Sequence, residues 1–201
     1  MREAVLEAAA EIFVERGFEG ASIDQIAQRA GVSKPTIYSH FGGKEQLFTE
    51  ILTAVGDDLA SPMLRPGAEE ADLESILLEI ARAYARAVLN PRVVELHRLF
   101  VGEAERFPEL SRRYFAAGPQ MAHDSLAAFL AARIRRGDLK PADPATLAEF
   151  FASLIINPMR LRLLFRMDEQ VDWEAEDRRA ALAIRLFLDG AAAPPAGDRP
   201  G

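Results

Sequence analysis

A chain of 201 residues, 49% apolar and without cysteine, is long enough to bury a core without disulfides, and it excludes thiolate zinc sites and cysteine nucleophiles. The formal net charge of −7 argues against indiscriminate binding to nucleic acid. No apolar run approaches the roughly 18 residues of a membrane span, and Met1-Arg2-Glu3 leads straight into amphipathic sequence, so a cytoplasmic protein without a secretory signal is expected.

Helical periodicity runs along the whole chain and strand alternation is hard to find, which predicts an all-α fold. Val5, Ala8, Ala9, Ile12 and Phe13 recur at three- and four-residue spacing, away from Glu7, Glu11 and Glu15, and Gly17 stops this first helix just after Arg16. Ser22 is an N-cap, with Gln25 as its capping-box partner. The helix it opens turns Ile23, Ile26, Ala27 and Ala30 inward and ends at Gly31, which tolerates a left-handed turn. Ser33 caps a third, short helix with Pro35 in its first turn, where a missing N–H costs nothing. A fourth helix is predicted from Lys44 to about Ala60, with Leu47, Phe48, Ile51 and Leu52 as its apolar stripe. Ser61 to Glu70, with two prolines and a glycine, reads as a loop. Further helices are predicted over 73–89, 92–106, 120–135, 144–166 and 173–188, punctuated by Gly118-Pro119 and Gly137-Asp138. Asn157-Pro158 should kink or split the fourth of these, and residues 191–201, rich in Ala, Pro and Gly, read as a disordered tail.

From Gln25 to Lys44 there is no Asp or Glu, while Arg29, Lys34 and Lys44 are cationic and His40 is titratable; Asp24 and Glu45 bound this stretch. It reads as a local basic face or as chance. Two short helices joined through Ala30-Gly31-Val32, behind a longer helix, have the spacing of a helix-turn-helix. The second helix of such a pair enters the major groove, N-terminal end first. Ser33, Lys34, Thr36, Tyr38, His40 and Lys44 are the polar groups available there, with Ile37 and Phe41 facing a small core.

The segment from Arg2 to Ile51 resembles the N-terminal domain of the TetR family of bacterial repressors. The resemblance rests on Ala8-Ala9, Ile12-Phe13, Gly17-Phe18, Ser22-Ile23, Ile26-Ala27, Ala30 to Lys34, Thr36-Ile37-Tyr38, His40-Phe41 and Lys44 to Phe48. It implies that Ser22 and Lys44, at helix N-termini, join free N–H groups in gripping phosphate, and that Tyr38 and His40 also touch the DNA backbone. Lys34, Pro35, Thr36, Gln25 and Ser39 would reach base edges, with Ser33 at the same helix end. The competing readings are that Ser22 and Ser33 are only caps, Tyr38 a core aromatic and Lys44 a solvated charge. Many members carry a basic arm before the first helix, and only Met1 precedes Arg2 here. The glutamates on the first helix imply modest, strongly salt-dependent nonspecific affinity.

The resemblance also implies the organisation of the rest: a helix-turn-helix DNA-binding domain over 1–45, a larger helical ligand-binding and dimerisation domain over 46–190, and the tail over 191–201. Phe150, Phe151, Leu154, Ile155, Leu161, Leu164 and Phe165, then Ala180, Ile184, Leu186, Phe187 and Leu188, offer more apolar surface than one packing face requires. That suits a dimer interface built from the last two helices, against the alternative of a monomeric core. The stretch from Arg92 to Pro119 resembles the AcrR-type branch. A ligand pocket would be lined by Phe100, Phe107, Tyr114, Met121, Phe129 and Phe151, with His97, Glu103, His123 and Asn157 as anchors. For each of these aromatics plain core is the stronger competing reading, and for His97 and His123 it is a surface or satisfied histidine.

The implied function is that of a homodimeric transcriptional repressor on palindromic double-stranded DNA, released by a small, largely apolar effector and using no cofactor. For an enzyme there is no His-Glu-x-x-His or Glu-x-x-His spacing and no phosphate-cradling glycine loop, and His40, His97 and His123 have no evident nucleophile partner. A scaffold that binds only protein would have no reason to keep the stretch before Lys44 free of carboxylates.

Overall fold

The computed structural model describes residues 1–64, 67–68, 70–156, 159–168 and 170–191. Eleven α-helices lie in this set: α1 (Arg2–Gly20), α2 (Ile23–Ala30), α3 (Lys34–Phe41), α4 (Lys44–Leu64), α5 (Leu73–Val88), α6 (Pro91–Glu103), α7 (Pro108–Phe115), α8 (Met121–Arg136), α9 (Pro144–Ile156), α10 (Met159–Leu164) and α11 (Trp173–Ala191). Local signals account for most of them. The helical path of α1 breaks at Gly17 (φ 72°, ψ 170°), where its end is expected, and then resumes for one turn. Gly31 ends α2 in the left-handed region (φ 68°, ψ 29°), which an L side chain enters only at a cost of roughly 1–2 kcal/mol.

Two stretches depart from expectation. α4 runs on through Ser61 to Leu64, because the one N–H missing at Pro62 removes a single bond near the helix end. Residues 108–120 form α7 and a π-helical turn, Ala116–Gln120, that carries Pro119 within it. Pro108 opens α7 at a position where its missing N–H has no partner to lose. The helical stretch over 144–166 is split in two, α9 and α10, one of the two outcomes expected there; Asn157 and Pro158 between them lie outside the described residues, as do residues 192–201 of the expected tail and the side chain of Leu52.

The chain divides into two compact units: residues 1–57 with 90–120, and residues 58–89 with the described part of 121–201. In the first, Phe13, Ile26, Ile37, Leu47 and Phe48 are sealed from solvent, and Leu96, Phe100, Leu110 and Tyr114 of α6 and α7 complete the same core. A run of rings links these helices. Phe18 stacks on Phe13 with centroids 5.5 Å apart, Phe13 meets Phe48 edge-on at 5.7 Å, Phe48 meets Phe100 at 4.5 Å, and Phe100 stacks on Tyr114 at 4.8 Å. Offset and edge-on pairs like these add to simple burial.

In the second unit, Asp72 and Asp143 cap α5 and α9 by accepting the backbone N–H of Ser75 (2.9 Å) and of Thr146 (2.8 Å). The hydroxyls of Ser75 and Thr146 first, and then these backbone bonds, hold both carboxyls below their usual range. The core is formed by Ile76, Leu77, Ile80, Leu126, Leu130, Phe151, Ile155, Ile184 and Phe187. Arg133, only 1% exposed, sits within it. Its Nη1 donates to Asp138 Oδ2 at 2.7 Å and its Nη2 to the carbonyl oxygens of Ala68 and Ala71, the partners a buried charge requires.

Candidate nucleic-acid interface

The helix-turn-helix is built by its caps. At α2, the Gln25 N–H donates to Ser22 Oγ (3.3 Å) and the Ser22 N–H to Gln25 Oε1 (2.9 Å), so the expected capping box is closed. At α3, the Thr36 N–H donates to Ser33 Oγ at 3.2 Å, the two hydroxyls are 2.7 Å apart, and Ser39 Oγ donates to the Thr36 carbonyl at 3.0 Å. Ile37 (0% exposed) and Phe41 (7%) turn inward, while Tyr38 stands 49% exposed between them. Ser22, Ser33, Lys34, Pro35, Ser39 and His40 are exposed as well; Gln25, Thr36 and Lys44 are half-buried. One short element thus presents hydroxyls, a phenol, an imidazole and an ammonium beside a helix N-terminus, a combination suited to phosphate and base edges.

The cations of the carboxylate-free stretch are all engaged from outside it. Lys34 Nζ lies 2.8 Å from Asp24 Oδ1. Arg29 reaches Glu15 through both terminal nitrogens at 2.9 Å and Glu11 at 3.1 Å, which holds its guanidinium above its usual value and the Glu15 carboxyl below. On the same face of α1, Glu7 and Glu11 accept from Arg92 of α6 at 2.6 and 3.5 Å. Glu7, Glu11 and Glu15, the first-helix glutamates from which modest nonspecific affinity is expected, are therefore paired with Arg29 and Arg92. Chain reading missed these partners because they lie on other helices.

Lys44 sits at the other end of α1. Its Nζ donates to the carbonyls of Phe18 (2.8 Å) and Ala21 (3.0 Å), lies 3.5 Å from that of Glu19, and rests 4.6 Å above the Phe18 ring. A helix end leaves carbonyls without intrahelical partners, and this ammonium satisfies those of α1. Burial pushes it below its usual range, while Glu19 and Glu45 pull the other way. Lys44→Met should therefore cost about 1–3 kcal/mol in urea unfolding, since charge-assisted bonds to part-buried carbonyls are lost. A phosphate ligand would show itself differently, by reducing the salt dependence of DNA binding while stability stayed constant.

The candidate effector residues divide between the units. His97 Nδ1 lies 2.9 Å from the Tyr114 hydroxyl, and Phe100 and Phe107 belong with Tyr114 to the aromatic core against Phe48; Glu103 lies beside Gly17. Met121, Phe129 and Phe151 belong to the second unit, the last two buried, and Asn157 lies outside the described residues. His123 Nε2 lies 3.1 Å from the Ala145 carbonyl. On α9 and α11, Phe150, Leu154 and Leu186 stand exposed around a groove of about 620 Å³ that Lys140, Ser153 and Phe187 also line. Among the described residues no cluster of three or more His, Asp or Glu can hold a metal ion, and no helix is long and apolar enough to cross a membrane.

Known proteins match both parts of the chain. Residues 5–51 match the family described as bacterial regulatory proteins of the TetR family, and residues 75–190 match the C-terminal domain of AefR-like transcriptional repressors. The HTH-type transcriptional activator FasR of Mycolicibacterium smegmatis is 48% identical over 60 residues, 30% of this chain; the match spans only 27% of FasR. A TetR-family regulator of Mesorhizobium loti superimposes with a TM-score of 0.81 at 26% identity, covering 96% of each chain. The flavonoid-responsive regulator FrrA does so with a TM-score of 0.73 at 31% identity, covering 97% of this chain and 98% of its own. Matched at its helix-turn-helix and again along most of the remaining helices, the chain belongs to the TetR family of transcriptional regulators, proteins that act on DNA and are not enzymes.

Proposed function

We propose that the protein is a cytoplasmic, homodimeric repressor that binds a palindromic operator and leaves it when a small, largely apolar effector binds. The observation that carries this reading is the exposed face of α3, where Lys34, Pro35, Tyr38, Ser39 and His40 stand over the buried Ile37 and Phe41. Two such helices about 34–36 Å apart fit successive major grooves. Lys34, Pro35, Thr36, Gln25 and Ser39 read base edges in this account, while Ser22, Ser33, Tyr38 and His40 hold phosphates. Lys44 contributes through the N-terminal turn of α4, which its ammonium anchors to α1.

Residues 1–45 carry DNA binding in this reading, and residues 46–190 carry effector binding and dimerisation. The exposed apolar groups of α9 and α11 are the dimer face. The AefR-like repressor match over 75–190 favours repression, and the FrrA likeness favours an aromatic effector held by the candidates named above. The AcrR-type likeness of 92–119 belongs to the same reading. An effector lowers operator affinity by no more than its differential affinity for the two states.

The test is fluorescence anisotropy on the DNA upstream of the protein's own coding region, with wild type and Tyr38→Ala compared. Selective binding that weakens roughly tenfold or more in the variant, from a protein with unchanged melting, is the expected result. Equal binding by both proteins would remove Tyr38 from the interface. A folded dimer that selects no duplex, here or from a random pool, would end the repressor reading.

A further inference from the structure

The basic character of the recognition unit is cancelled inside the protein. Arg29 is bound to Glu11 and Glu15, and the Lys44 ammonium to the end of α1. Lys34, the first residue of α3, is held at 2.8 Å by Asp24 in the first turn of α2. Of these three pairings, only the last lies at the N-terminal end of the helix proposed to enter the groove. Both its side chains are well exposed, so the pair contributes little to folding, and its consequences fall on what approaches from solvent. The contact also holds the Lys34 ammonium above its usual range.

We propose that Asp24 is a specificity-determining residue of the DNA-binding surface, because its carboxylate holds the Lys34 ammonium and withholds it from any phosphate that merely passes by. The inference rests on the DNA-binding reading above. An unguarded lysine on a DNA-facing surface gives every duplex the same attraction, by releasing counterions whatever the sequence. Paired with Asp24, Lys34 gives nonspecific DNA no net charge. Pulling the ammonium away would leave a bare carboxylate facing phosphates. A cognate site avoids that loss. An ammonium has three N–H donors, and one held on Asp24 leaves the others aimed from a fixed position at base acceptors such as the O6 and N7 of guanine. The guard therefore costs affinity everywhere except where bases accept from Lys34.

The experiment uses the full chain and two duplexes, one selected by the wild type from a random pool and one scrambled. Binding of wild type, Asp24→Asn, Lys34→Met and the double variant is followed by anisotropy across a KCl series. Asp24→Asn should tighten the scrambled duplex by roughly tenfold at low salt and the selected duplex by much less, so that the ratio between them falls. Its salt slope on scrambled DNA should steepen by about 2 for a dimer, one released counterion for each Lys34. The double variant should return to the wild-type slope, which separates release of Lys34 from simple repulsion between Asp24 and DNA. An unchanged ratio in Asp24→Asn, or a steep slope that persists in the double variant, would overturn the proposal. Wild type that selects no duplex at all would defeat the DNA-binding reading itself, and Asp24 with it.

Discussion

The double variant Phe150→Glu with Leu186→Glu is expected to be a folded monomer that binds its operator about 10²–10⁴-fold more weakly than the wild type. Both side chains stand more than half exposed, at 59% and 57%, on helices whose opposite faces are already buried. Phe151 and Ile155 of α9 and Ile184 and Phe187 of α11 fill the core of the second unit, and Phe151 meets Phe187 edge-on at 5.5 Å. Phe150, Leu154, Leu182 and Leu186 project on the other side, where an apolar patch on a lone chain marks an interaction surface. Glutamates placed there are harmless to a monomer and repel their symmetry mates across a two-fold interface. Without the dimer, the second half-site no longer benefits from the effective concentration that the first one creates. Sedimentation velocity and anisotropy on the same samples decide the matter: a double variant that still sediments as a dimer would move the interface elsewhere.

Phe48→Ala should cost about 3–5 kcal/mol of stability, the loss typical of an aromatic deleted from a closed core. Phe48 has no exposed surface and touches the rings of Phe13, Phe18 and Phe100, so its removal leaves a cavity bordered by α1 and α6 as well as by its own helix. The surrounding rings are themselves pinned by neighbours, which limits how far the cavity can collapse. Urea unfolding should show the midpoint fall without a change in slope, and DNA binding should fail at temperatures where the wild type still binds. A loss below about 1 kcal/mol would mean that the ring run from Phe18 to Tyr114 is not the mechanical link between these helices.

Much of the first unit was legible along the chain because its signals are local. The Ser22–Gln25 box, the Ser33 cap, the left-handed Gly31 and the inward Ile37 and Phe41 each depend on residues within four positions of one another. Hydrogen bonds of that range form wherever the residues occur in register, so spacing alone predicts them. The extension of α4 past Ser61 and the appearance of α7 were less legible, since a proline near a helix end is compatible with either outcome until packing chooses.

Charge was read least well. The gap in carboxylates between Gln25 and Lys44 suggested a basic face, yet Asp24, Glu11 and Glu15 close on two of its cations and α1 carbonyls on the third. The candidate effector residues met the same limit: Phe100, Phe107 and Tyr114 read as pocket lining or plain core along the chain, and folding places these rings with the core around Phe48, while His97, expected as an anchor, lies against the Tyr114 hydroxyl.

By itself, then, the amino-acid sequence determined the all-helical fold and the helix-turn-helix, because periodicity and capping are properties of neighbours in the chain, while the family was carried by the resemblance of the motifs between Arg2 and Ile51. Only the tertiary structure decided that α6 and α7 share a core with the DNA-binding helices, that Arg92 and Arg29 neutralise the glutamates of α1, and that Lys34 is held by Asp24. Ion pairs and ring contacts form between helices brought together from distant parts of the chain, and their energy depends on distances that no spacing along the sequence records.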